Sequence, residues 1–211
     1  MMRFHFPLQD KPPADLPAGL VDELYEALRV QAYEGGCTAR AFLPTFDDLT
    51  VRHGWEYSGT NWERCHLIYS QTLAAFYRHR QYGQLTMPEA LDIFPHWRLR
   101  IMANIQPASV SMWAGFHDQI VPADCDWIRA YLHISGSHHG EIEPLTRTVL
   151  QRSEGDIIQP PTINYYQALD PVTGKVVDTP EGISPGFHKD VRLPVADYVR
   201  HFLQLGMVLP V

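Results

Sequence analysis

The stretch Leu132-His133-Ile134-Ser135-Gly136-Ser137-His138-His139-Gly140-Glu141-Ile142-Glu143 places two histidines and two carboxylates within its last six residues. It continues Trp127–Ile134, a run rich in aromatic and β-branched residues that reads as a strand, with a helix starting at Asp126 as its rival. On a strand, residues two apart share a face, so His139 and Glu141 would reach one ion together. A register shift of one residue would present His138 instead. How this stretch is read decides whether the second half of the chain is β.

Outward from it, the surroundings favour strands. Upstream, Trp97, Leu99 and Ile101 alternate with Arg98, Arg100 and Met102, the pattern of a strand with one exposed face. Downstream, Leu145–Gln151 reads as a further strand, and Glu154-Gly155-Asp156 as a turn. Thr162–Leu169 and Lys175–Asp178 flank Asp170-Pro171-Val172-Thr173-Gly174, whose residue types predict a hairpin. The glycine- and proline-containing loop Glu181–Gly186 then delivers His188. Val195, Tyr198, Val199, Phe202 and Leu203 recur with helical period between Pro194 and Gly206, with a short strand as the alternative.

The first ninety residues read differently. Residues 1–18 carry four prolines and are expected to be extended, with Asp15 as a candidate helix cap. Val21, Leu24, Tyr25, Leu28 and Ala32 form a helical stripe that Gly35-Gly36 stops. Residues 37–58, with Pro44, Asp47-Asp48 and Gly54, read as loop with at most one short strand. Thr60-Asn61-Trp62-Glu63 is a capping box opening the clearest helix, with Trp62, Cys65, Tyr69, Leu73, Phe76 and Tyr77 on one face. Leu85-Thr86-Met87-Pro88-Glu89 repeats that logic for a shorter helix. The expected fold is α+β in one domain over residues 1–211, mainly helical over 1–94 and mainly antiparallel β over 95–211.

Bulk properties narrow the function. The net charge of −7 argues against a nucleic-acid partner, and the short basic groups Arg78-His79-Arg80 and Arg98/Arg100 suit solvated faces. Cys37, Cys65 and Cys125 lack CxxC spacing and cannot all pair. No apolar run approaches the ~20 residues of a membrane span, and none follows Met1-Met2-Arg3 as a secretory segment would. A cytoplasmic protein with no membrane partner is expected. Gly-x-Gly-x-x-Gly, Walker and Gly-x-Ser-x-Gly motifs are missing, which argues against dinucleotide, P-loop and α/β-hydrolase chemistry. Cys125 lies between Asp124 and Asp126, which disfavour its thiolate.

A neutral imidazole with a carboxylate suits a divalent transition metal, and His188 as third ligand would leave coordination positions open for oxygen activation at non-haem iron. Zinc in the same set would favour hydrolysis. His139-x-Glu141, then His188 after 47 positions, then Arg200 after 12 more, resembles the His-x-Asp/Glu…His…Arg order of the Fe(II)/2-oxoglutarate-dependent oxygenases. The resemblance is confined to the C-terminal part. It implies a double-stranded β-helix (cupin-like), with His139, Glu141 and His188 as Fe(II) ligands and Arg200 as partner of the 2-oxoglutarate carboxylate. The acidic ligand is Glu where that family usually carries Asp, and Arg200 falls in the segment with helical period. The expected function is a mononuclear metal enzyme, an oxygenase acting on an unknown small molecule or side chain. The alternative is a non-catalytic binding or assembly protein with exposed histidine-rich loops and a protein partner.

Overall fold

The structure is a computed structural model that describes residues 15–35, 38–57, 59–101, 117–131, 140–153, 157–160, 162–181, 185 and 192–208. Helix α1 (Leu20–Glu34) buries Leu20, Val21, Leu24 and Leu28, the stripe its period predicts. Asp15 does not cap it. The capping position is Gly19, at φ 81° with no side-chain bond, and a Cβ there would lie 3.3 Å from the His53 ring.

The expected loop over residues 37–58 is instead a helix, α2 (Ala39–His53). Thr38 caps it by accepting a bond from the Ala41 N–H, and Gly54 ends it in the left-handed conformation at φ 61°. Pro44 lies inside and cannot donate to the Arg40 carbonyl. Burial of Phe42, Phe46 and Leu49 on one side offsets that loss.

Helix α3 (Asn61–Leu85) opens on the expected capping box, with both of its reciprocal bonds present. Of its expected face, Cys65 and Tyr69 are buried and Leu73 and Phe76 pack against the core, whereas Trp62 and Tyr77 are exposed and Ile68, Thr72 and Ala75 are also inside. Helix α4 (Pro88–Ile93) forms without a side-chain cap, because the Thr86 hydroxyl donates to the Tyr82 carbonyl instead.

Strands β1 (His96–Ile101), β2 (Ile120–Pro122) and β3 (Gly140–Leu145) form an antiparallel sheet in the order β2-β1-β3. Two expected strands are helical. Over Trp127–Ile134, the helix that rivalled a strand forms as α5 (Asp126–Tyr131), while 132–134 lie outside the described residues. Leu145–Gln151 divides: β3 ends at Leu145, and Thr146 caps α6 (Arg147–Gln151) by accepting a bond from the Val149 N–H. The expected hairpin is present as β4 (Tyr165–Leu169) and β5 (Val176–Pro180). At its turn Asp170 accepts from the Val172 and Gly174 N–H groups. Helix α7 (Val195–Val208) follows its period and packs on α1 and α3.

The fold is therefore α+β, with seven helices, a three-stranded sheet and a two-stranded hairpin among the described residues. Two apolar clusters hold it. One joins α1, α2, the first half of α3, Val172 of the hairpin turn and α7; the other packs Trp97, Leu99, Val121 and Ile142 of the sheet against Trp127, Ile128 and Tyr82. Helix α3 contributes to both. No helix among the described residues is long and apolar enough to cross a membrane.

Candidate functional site

The β1–β3 pairing fixes the chemistry of the sheet's two faces. Register sets Arg98 opposite Glu143, Leu99 opposite Ile142 and Arg100 opposite Glu141. Leu99 and Ile142 are buried with Trp97 in the apolar cluster, so alternation turns Arg98, Arg100 and Glu143 to the other face. There Arg98 Nη1 lies 3.3 Å, and Arg100 Nε 3.0 Å, from the same Glu143 oxygen. Arg100 also pairs with Asp118, which has His117 Nε2 3.3 Å away, and Arg98 donates to the Ser153 hydroxyl. Arg98 Nε is buried without a hydrogen-bond partner among the described residues. The face is thus an arginine pair shared among carboxylates, with Glu141 at the register position beside it.

The residues singled out from the sequence fall as follows. His138, His139 and His188 lie outside the described residues. Glu141 is located by its backbone, on β3 opposite Arg100. Arg200 is on α7, its side chain 54% exposed, with Nη1 3.2 Å from Asp197. Helix α7 packs on α1 and α3, whereas β3 pairs with β1, so Arg200 belongs to the helical cluster and Glu141 to the sheet. No group of three His, Cys, Asp or Glu suited to one ion occurs among the described residues.

A second polar cluster was not expected from the sequence. Asp124, between β2 and α5, has φ 53°, the left-handed conformation in which aspartate is enriched among non-glycine residues. The Arg129 guanidinium grips its carboxylate through Nε and Nη2, each at 2.9 Å, and its backbone oxygen at 2.8 Å. The Tyr82 hydroxyl donates to the same carboxylate. The bonds from Arg129, aided by that from Tyr82, hold the Asp124 carboxyl below its usual range. Burial, then the bond to Asp124, pushes the Tyr82 phenol up, and the Asp124 bond raises Arg129. Burial also raises the Cys125 thiol, which leaves it a poor nucleophile. The cluster ties α3 to the turn that follows β2. Its signal in the sequence was the Asp126-to-Arg129 spacing of a helical first turn, an ion pair of 2.7 Å in the structure.

A scan against models of protein families, a search of curated proteins and a search of solved structures each return no match to this chain.

Proposed function

We propose that the chain is a mononuclear metal enzyme, with His139, Glu141 and His188 as ligands and a small molecule or side chain as substrate. The finer fold that goes with this reading is a double-stranded β-helix completed around β1–β3. The observation that supports it is the strand at Glu141: β3 begins directly after His138-His139. In a strand, residues 139 and 141 project to one side. The donor set of two imidazoles and a carboxylate fits a divalent transition metal, Fe(II) first and zinc second. Bound there, the ion would supply Lewis acidity and open coordination positions.

This chain's own contribution is an ordered polar face. Arg98 and Arg100, shared with Glu143 and Asp118, stand on the sheet face where Glu141 is in register. Balanced by those carboxylates, the guanidinium groups would fix the geometry beside Glu141 and add no net positive charge. 2-Oxoglutarate is the co-substrate that the family order implies, but Arg200 does not suit its anchoring. It lies on an exposed helical face, held by Asp197.

The test is a cobalt(II) titration followed by visible absorption, in the wild-type chain and in Glu141→Ala. Saturation at one equivalent, lost in the variant, supports the reading; identical spectra from both chains refute it.

The binding or assembly reading draws on a different observation. The β4–β5 hairpin exposes Tyr165, Tyr166 and Val176, large apolar side chains suited to a partner surface. Light scattering over a range of concentrations tests its self-assembling form: a monomer throughout excludes it, and growth abolished by Tyr165→Ser supports it.

A further inference from the structure

We propose that the cleft between the C-terminal end of α1 and the middle of α3 binds a planar aromatic anion. The cleft has a volume of about 260 Å³. Cavities that hold small ligands run from roughly 300 Å³ upward, so this one suits a single or fused ring and not a long chain. Its floor is Tyr69, Leu73 and Phe76, and the Phe76 ring stacks on Tyr25 with centroids 5.4 Å apart. Its walls are Tyr33 and Tyr77, which are 62% and 63% exposed. Tyr77, exposed beside an apolar floor, offers a ring face to a flat guest.

The charge at the rim selects the guest. Two guanidinium groups approach the Tyr33 ring, Arg29 at 6.0 Å and Arg80 at 5.9 Å. Arg29 is neutralised by Glu26 at 2.7 Å. Arg80 lines the cleft and has no carboxylate partner among the described residues. One uncompensated, forked cation beside an aromatic slot recognises a ring that carries a carboxylate or phosphate. The C-terminal end of α1 opposes an anion with about half a charge, and the full charge of Arg80 exceeds it. The Gln31 side chain at the same rim adds a neutral donor. Two sources share this chemistry, an arenecarboxylate and a nucleotide. The site is independent of the metal reading, since α1 and α3 carry none of its ligands.

Calorimetric titration of the full chain with phenylacetate, adenosine monophosphate and the neutral phenylacetamide tests the assignment. Saturable binding of at least one anion is expected, and which of the two binds identifies the source. Phenylacetamide should bind at least about tenfold more weakly than phenylacetate if the latter is the ligand. Arg80→Gln should weaken the bound anion by about tenfold without altering the circular dichroism spectrum. Tyr77→Ser should weaken it as well, by removing one wall. The proposal is overturned if neither anion gives saturable heat, or if binding is unchanged in Arg80→Gln or in Tyr77→Ser.

Discussion

Arg129→Met should destabilise the sheet half of the molecule by about 2 kcal/mol, within the roughly 1.5–3 kcal/mol of a hydrogen bond to a charged group. Methionine keeps the length of the arginine stem, so packing changes little while the fork is removed. What is lost is the grip on Asp124: two bonds of 2.9 Å to the carboxylate and one of 2.8 Å to the backbone oxygen. The Arg129 and Asp124 side chains are 30% and 27% exposed, enough burial for the pair to matter. The grip also holds Asp124 at φ 53°, a conformation that aspartate tolerates better than most L-residues. Urea unfolding followed by tryptophan fluorescence is the assay, because Trp97 and Trp127 are buried in the same cluster. With a urea slope of about 2 kcal/mol per molar, the midpoint should fall by about 1 M. Tyr82→Phe should cost about 1 kcal/mol, and the double variant less than the sum, since both groups act on one carboxylate.

The pH dependence follows from the same bonds. The folded Asp124 titrates below its unfolded value of about 3.9. Its contribution is complete above that pH and is lost as pH falls through the depressed folded value. Arg129→Met should flatten this acid limb. A stability within about 0.5 kcal/mol of wild type, the range of a neutral surface change and a midpoint shift of about 0.25 M, would refute the clamp.

Other changes test other parts. Thr60→Ala removes the hydroxyl half of the capping box on α3, which accepts from the Glu63 N–H, and leaves the bond from its own N–H to the Glu63 carboxylate; it should cost about 1 kcal/mol, read as a lower thermal midpoint. Leu203→Ala on α7, where Leu203 is fully buried between helices, should cost about 3 kcal/mol in the same measurement. Arg200→Gln breaks only an exposed i,i+3 pair and should move stability by less than about 0.5 kcal/mol. Calorimetry with 2-oxoglutarate should not distinguish that variant from wild type; binding abolished by it would return Arg200 to the anchoring role.

Where local signals were complete, the sequence was readable. The Thr60–Glu63 box, the Asp170–Gly174 turn and the Val195–Leu203 period each state their element in a few neighbouring residues, and each is present in the structure. Helix α2 was obscured because Pro44 and Asp47-Asp48 argue locally for a loop. The Thr38 cap and the Phe42, Phe46, Leu49 spacing were the stronger signal. Helices α5 and α6 are short, and five or six residues rich in Val, Leu and Trp fit strand and helix alike. The signals for a helix were the Thr146 cap before one and the acidic first turn at Asp126 in the other. The Arg98–Glu143 and Asp124–Tyr82 contacts join residues more than 40 positions apart, and no local pattern encodes them. At the candidate metal site, the strand at Glu141 was entertained only as the condition for a shared ion, with the expected strands placed before and after it, and Arg200 was legible as helical from its period.

The most direct test of the central claim is elemental analysis of anaerobically purified protein, beside a His139→Ala, His188→Ala double variant. The account predicts about one equivalent of iron, or of zinc, per chain in the wild type and none in the variant. No stoichiometric metal in the wild type, or the same content in both, would contradict it.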